Sequence, residues 1–243
     1  MKAIGIIPAR YASSRFPGKP LAEIAGRSMI EHVYRRACQA RTLSGVWVAT
    51  DDPRIQEAVL AFGGRVVMTR DDHASGTDRI AEAAQGLEAD VVVNVQGDEP
   101  LLDPREIDAV VEPFRLSPGL EMATLASPIH DPRDVADPGV VKVVTDRHGF
   151  ALYFSRLPIP CYRSGPEGPR LKHIGLYAYA RDFLFRYAGM PPSSLEQAEA
   201  LEQLRVLEAG HRIMVVRTEH DAVSVDTPDD LERVRALFAE KGG

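Results

Sequence analysis

The feature that most restricts the fold is an alternation, through the first half of the chain, between short apolar runs and stretches with helical spacing. Ala3 to Ile7, Val46 to Ala49, Val66 to Met68 and Val91 to Val95 are apolar at consecutive positions, the pattern of strands buried on both faces. Between the first two, Ser28 stands as an N-cap before Ile30, Val33, Tyr34, Ala37 and Cys38 on one helical face. Pro53 opens the next helical stretch and Gly63 and Gly64 close it, while Thr77 to Leu87 and Pro104 to Phe114 repeat the scheme. A β-α-β-α order implies a parallel, doubly wound sheet with right-handed crossovers. After residue 120 the apolar runs crowd together: Met122 to Ala126, Val140 to Val144, Ala151 to Phe154 and Ile174 to Tyr179. This half is expected to be antiparallel or mixed, with Leu176 and Tyr179 offered to another subunit. Helices return over Leu195 to Leu207 and Asp229 to Phe238, flanking strands at Ile213 to Arg217 and Val223 to Val225.

The chain has 243 residues, which suits one large α/β domain or two small ones. No repeat or low-complexity linker divides it, so a single domain over residues 1–243 is expected, with about 120–190 forming the antiparallel part. A net charge of −6 lacks the basic excess of a general nucleic-acid binder, though a few clustered cations still suffice for a small phosphorylated ligand. Cys38 and Cys161 show no metal spacing and cannot form a disulfide framework. No apolar run approaches the ~20 residues of a membrane span, and the N-terminal one is too short for a signal peptide. A cytoplasmic protein with no membrane or nucleic-acid partner is expected.

In an open parallel sheet, ligands bind beyond the carboxyl ends of the strands. The connection after the first strand, Pro8 to Pro20, holds Arg10, Arg15 and Lys19 with Ser13 and Ser14 and is long enough to wrap a triphosphate. It carries neither the dinucleotide fingerprint nor the P-loop motif. Ser75 to Thr77 precede a helix, where an N-cap and an anion or base contact are equally good explanations. After the fourth strand, Gln96-Gly97-Asp98 puts a carboxylate at a strand end, with Gly97 permitting close backbone approach. Magnesium is commonly held by one or two carboxylates together with phosphate oxygens, so Asp98 calls for one distant partner. Thr227, Pro228 and Asp230 form a helix-capping pattern. Asp226, just before it, is left without that explanation and is the candidate.

Together PARYASSRFPGKPL (8–21), VATDD (48–52), TRDDHASGTDR (69–79), VNVQGDEP (93–100), ALYFSR (151–156) and VDTPDDLERVR (225–235) resemble one family, the 3-deoxy-manno-octulosonate cytidylyltransferases. KHIGLYAY (172–179) and LEQLRVLEAG (201–210) extend the resemblance essentially from end to end. It implies a Rossmann-like nucleotide-diphospho-sugar transferase fold: a mixed, mainly parallel sheet with helices on both faces and an antiparallel excursion in the second half, in a homodimer. The implied reaction moves CMP from CTP to 3-deoxy-manno-octulosonate (Kdo), releases pyrophosphate, and activates Kdo for lipopolysaccharide synthesis. The sugar's anomeric hydroxyl attacks the α-phosphorus in line, so that positioning and charge neutralisation supply most of the catalysis.

The resemblance places Arg10, Arg15 and Lys19 around the triphosphate, and Ala9, Ser75 and Gly76 at the cytosine side. Asp98 and Asp226 would hold Mg²⁺ between the nucleotide phosphate and the attacking hydroxyl. Arg10, Lys19, Asp98 and Asp226 would thus be the catalytic set. Gln96, Arg156, Arg163, His173, Tyr177, Glu202 and Gln203 would bind the sugar acid. Two alternatives stay open: a related acid such as 8-amino-Kdo or a sialic-type sugar as substrate, and a catalytically silent nucleotide-binding homologue.

Overall fold

The computed structural model describes residues 1–12, 16–164, 167–220 and 223–241. The chain forms two compact units, Met1–Asp108 with Ala222–Gly243, and Ala109–Asp221.

Unit 1 realises the β-α alternation. Strands β1 (Ala3–Ala9), β4 (Leu43–Thr50), β5 (Val66–Met68) and β6 (Val91–Asn94) pair in parallel, with β1 between β6 and β4 and with β5 outside β4. β1 is inaccessible at nearly every position because helices cover it, which is why its sequence does not alternate. A two-residue hairpin, β2 (Glu23–Ile24) with β3 (Arg27–Ser28), leads into α1 (Met29–Ala37), whose Met29, Ile30, Val33 and Ala37 are buried at helical spacing. Helix α2 (Pro53–Ala61) starts with the Asp52 side chain accepting from Arg54 N, and Gly63 at φ 79° turns the chain out of it. Helix α3 (Gly76–Gln85) begins with a reciprocal capping box between Ser75 and Asp78.

The C-terminal helix α9 (Pro228–Lys241) returns to this unit. Thr227 Oγ1 accepts from Asp230 N while the Asp230 carboxylate accepts from Thr227 N, as the capping pattern predicts. Val225, Leu231 and Val234 share a buried cluster with Ile24 and Met29, each such side chain contributing about 1.5–3 kcal/mol when fully buried. That cluster is what brings Asp226 back to the N-terminal strands. No strand forms at Val223–Val225; instead Val225 N donates to the carbonyl of Asp98 at 2.9 Å.

Helix α4 (Pro104–Leu116) crosses the boundary between the units. In unit 2, β7 (Met122–Pro128) pairs in parallel with β11 (Ile213–Arg217) and antiparallel with β10 (Leu171–Ala180). The antiparallel excursion continues through β8 (Lys142–Thr145) to β9 (Ala151–Ser155), after a short helix α5 (Pro132–Ala136). The chain is thus α/β, with a mixed arrangement of strands. Three expectations need correction. Helix α6 (Arg181–Ala188) starts directly from β10 with no side-chain cap, so nothing in the sequence announces it. Leu195 to Leu207 is not one helix but α7 (Ser194–Glu199) and α8 (Leu204–Glu208), parted at Ala200 with φ 50°. Leu176 and Tyr179 face no second subunit: both are buried within the unit, Leu176 in step with Ile174 and Ala178 on the covered face of β10.

Candidate active site

In unit 1 the charged side chains gather where β1 and β6 end. Gly18, with φ 72°, opens a 3₁₀ turn at Lys19–Leu21. The Lys19 ammonium donates to Asp98 Oδ2 at 2.7 Å and to Val225 O at 2.9 Å, and lies 3.4 Å from Asp226 Oδ1. Asp98 reaches this point because Gly97 lets its strand run against β1: a β-carbon at Gly97 would stand 3.0 Å from Pro8 O. Two carboxylates from distant parts of the sequence therefore converge on one cation. Next to Asp98, burial and the nearby Asp98 and Glu106 carboxylates push the Glu99 carboxyl up to about 8. The same burial and neighbouring charge favour the neutral form of Glu99.

A second group surrounds the N-terminus of α3. Arg10 follows buried Ala9 at the end of β1, and its Nη2 donates to His73 O at 2.7 Å and Ser75 O at 3.1 Å. This fixes the guanidinium beside Ser75 and Gly76. The segment is braced again by His73 bonding to Glu82 and by buried Arg79, which donates to Thr69 Oγ1 at 2.5 Å and stands 3.1 Å from Asp51. Several motif residues at the strand ends thus have a bracing function. Ser75 meets the capping expectation, its hydroxyl accepting from Asp78 N, and its carbonyl in addition accepts from Arg10. Gln96 stands two residues past the end of β6. Arg15 lies outside the described residues.

Unit 2 holds the remaining candidates in a different setting. His173 and Tyr177 lie on β10 with ring centroids 5.3 Å apart, and Phe154 meets His173 edge-on at 5.0 Å. The His173 ring keeps some exposed surface but lies deep among protein atoms, and that desolvation pushes its pKa down to about 3. The neutral ring bonds through Nε2 to Thr124 Oγ1 at 3.0 Å; Thr124 also lies 2.9 Å from Leu176 O. With Thr124 donating to that carbonyl, Nε2 carries the imidazole proton and Nδ1 is the acceptor. Burial, then the neighbouring Tyr179 and Glu202, raises the Tyr177 phenol well above its ordinary value. Glu202 and Gln203 occupy the turn between α7 and α8, where Gln203 is 4% exposed and its Nε2 has no hydrogen-bond partner. Arg156, after β9, donates to three main-chain carbonyls, those of Pro138, Glu199 and Ala200. Arg163 is exposed on the connection from β9 to β10. Sequence reasoning missed Thr124 and Glu199, for neither stands in a pattern that separates it from an ordinary strand or helix residue.

Two carboxylates that already enclose a cation offer hard oxygen donors of the kind Mg²⁺ takes. Among the described residues no three acidic, histidine or cysteine side chains converge. A divalent ion at Asp98 and Asp226 would therefore complete its shell with substrate oxygens and water, and the residues suit such an ion.

The family model described as Cytidylyltransferase matches residues 4–213. A 3-deoxy-manno-octulosonate cytidylyltransferase of Solibacter usitatus is 55% identical, over 98% of this chain and 94% of its own length. One of Escherichia coli is 50% identical over 99% of this chain and 97% of its own. The structure of a CMP:2-keto-3-deoxy-manno-octonic acid synthetase complexed with CTP superposes with a TM-score of 0.96 at 50% identity, covering 99% of this chain and 100% of that one. A cytidylyltransferase from Leptospira borgpetersenii, 18% identical with a TM-score of 0.66, has the same fold; 99% of this chain and 87% of that one are covered.

Proposed function

The chain belongs to the cytidylyltransferase family, and from that premise we propose that it transfers CMP from CTP to 3-deoxy-manno-octulosonate, releasing pyrophosphate. The observation that carries this reading is the match to 3-deoxy-manno-octulosonate cytidylyltransferases at 50–55% identity over nearly the whole chain. Residues 1–243 act as one functional domain, with the nucleotide read by residues of unit 1 and the sugar acid mainly by residues of unit 2.

Ala9, Ser75 and Gly76 take the cytosine side, where main-chain groups at the start of α3 can meet the base edge. Arg10, fixed by two carbonyls, neutralises the triphosphate together with Lys19 and Arg15. The anomeric oxygen of the acid forms a bond to the α-phosphorus while the bond from that phosphorus to the β-bridging oxygen breaks. Pyrophosphate leaves with the bonding pair, and the hydroxyl proton passes to solvent. Asp98 and Asp226 would hold Mg²⁺, which when bound would neutralise phosphate charge and lower the pKa of the attacking hydroxyl. The Lys19 ammonium supplies positive charge for the departing pyrophosphate. Gln96, Arg163, His173, Tyr177, Glu202 and Gln203 orient the acid: cationic and amide donors serve its carboxylate, and the neutral imidazole and Glu202 accept from its hydroxyls. Arg156 belongs to this set and acts through the main-chain carbonyls that it holds.

The protein works in the cytoplasm as a homodimer. Among the described residues no helix is long and apolar enough to cross a membrane. Leu152 and Leu157, 62% and 70% exposed along and after β9, supply an apolar surface for self-association; a solution mass of one chain would contradict the dimer.

The testing experiment is pyrophosphate release from CTP and Mg²⁺ with Kdo, 8-amino-Kdo and a sialic acid in parallel. Release with Kdo, abolished by chelation, is expected. Release with another acid alone would move the substrate, and none with any acid would leave a silent nucleotide binder.

A further inference from the structure

Ala200, between α7 and α8, adopts φ 50° and ψ 49°, a left-handed conformation that a β-carbon disfavours. A residue persists there only where its surroundings over-determine it, and around Ala200 they do. Arg156 donates Nη2 to Ala200 O at 3.1 Å, Nε to Glu199 O at 2.6 Å and Nη1 to Pro138 O at 2.9 Å. In return the Glu199 carboxylate accepts from Arg156 N at 2.9 Å, Ser155 Oγ at 2.8 Å and Tyr153 Oη at 3.4 Å. Burial alone would raise the Glu199 pKa, but these hydrogen bonds bring it below the ordinary carboxylate range, so the clamp is charged at neutral pH. On the other side of Ala200, Leu201 N donates to Glu196 O at 3.1 Å and the Leu201 side chain is buried.

The two residues that follow are Glu202 and Gln203. Gln203 is more than nine-tenths buried, and its amide nitrogen has no hydrogen-bond partner. A buried donor without an acceptor is costly and uncommon, so the turn is held in this form against that cost. The direction of that donor depends on the backbone three residues earlier, which is the backbone that Glu199 and Arg156 hold.

We propose that Glu199 and Arg156 are positioning residues for the sugar acid: their reciprocal clamp holds Ala200 left-handed and so sets the turn that carries Glu202 and Gln203, two members of the acid-binding set. This rests on the reading of unit 2 as the acid-binding part of a cytidylyltransferase. Arg156 acts by fixing three carbonyls rather than by touching the acid.

The test compares Glu199→Ala, Arg156→Met, Ala200→Gly, and each clamp variant combined with Ala200→Gly, with KM measured separately for CTP and Kdo. Either clamp variant is expected to raise KM for Kdo about tenfold while KM for CTP holds. Glycine enters the left-handed region freely, so Ala200→Gly alone should stay close to wild type, and in the double variants it should recover most of the lost affinity for Kdo. An unchanged KM for Kdo in the clamp variants would overturn the proposal. So would a loss that Ala200→Gly leaves untouched, the result expected if either side chain binds the acid directly. A second readout does not depend on the substrate: amide exchange over Leu201 to Leu204 should quicken in Glu199→Ala, and unchanged exchange would contradict the clamp. Should the wild-type protein turn over no acid at all, the activity reading fails, and the exchange measurement still decides on the clamp.

Discussion

The two units hold their candidate residues by opposite means. In unit 1 the groups are charged, sit just beyond strand ends, and are held by one another: Lys19 by Asp98 and Asp226, Arg10 by the carbonyls of His73 and Ser75. In unit 2 the candidates other than exposed Arg163 are largely enclosed and set by main-chain geometry: His173 and Tyr177 lie among aromatic rings on an irregular strand, and Gln203 follows a left-handed alanine. The difference suits the ligands. A triphosphate and its cation need compensating charge, which mobile lysines and carboxylates can supply on arrival. A sugar acid is told from its relatives by hydroxyls, and discrimination of that kind needs buried donors and acceptors that are left unsatisfied by the wrong molecule.

The contrast can be broken most forcefully in unit 1. Asp98→Asn should lower kcat by about 10²–10³, the scale for losing one group that stabilises transition-state charge, with stability changed by no more than about 1 kcal/mol because the pair with Lys19 is partly exposed. Steady-state kinetics and a thermal melt on the same sample check both. A smaller effect is expected in unit 2, where Gln203→Leu should raise KM for Kdo roughly tenfold, the worth of one hydrogen bond to a charged acceptor, with kcat nearly kept. Ser75→Ala removes a cap and should destabilise by about 1 kcal/mol while Arg10 keeps its bond to the Ser75 carbonyl; a denaturant midpoint measures it. The smallest effect sharpens the role of desolvation. Since the His173 pKa falls from 6.5 to about 3 in the folded protein, the unfolded chain binds more protons between those values, and stability drops as pH falls through that window. His173→Phe should make that acid limb shallower, and an unaltered slope would mean the ring is not desolvated.

What could be read from the sequence follows the same division. The parallel strands of unit 1 were legible because burial on both faces removes polar alternation, and Asp226 stood out because the cap from Thr227 to Asp230 explained its neighbours but not itself. Helix α6 was not legible, because it begins at Ala180 without a capping side chain. The break between α7 and α8 was hidden because a left-handed alanine has no local signature; contacts from Arg156 and Glu199, more than forty residues apart, impose it. Leu176 and Tyr179 were expected to face another subunit, but both are buried within their own unit, where Thr124 bonds to the carbonyls of Ile174 and Leu176 at the irregularity in β10.

The division between a nucleotide-reading and an acid-reading unit is tested most directly by measuring both Michaelis constants for Arg10→Gln and Gln203→Leu side by side. Arg10→Gln should raise KM for CTP and leave that for Kdo within about twofold, and Gln203→Leu should do the reverse. If both constants rise together in each variant, the two ligands are not read by separate sets of residues and the division is wrong.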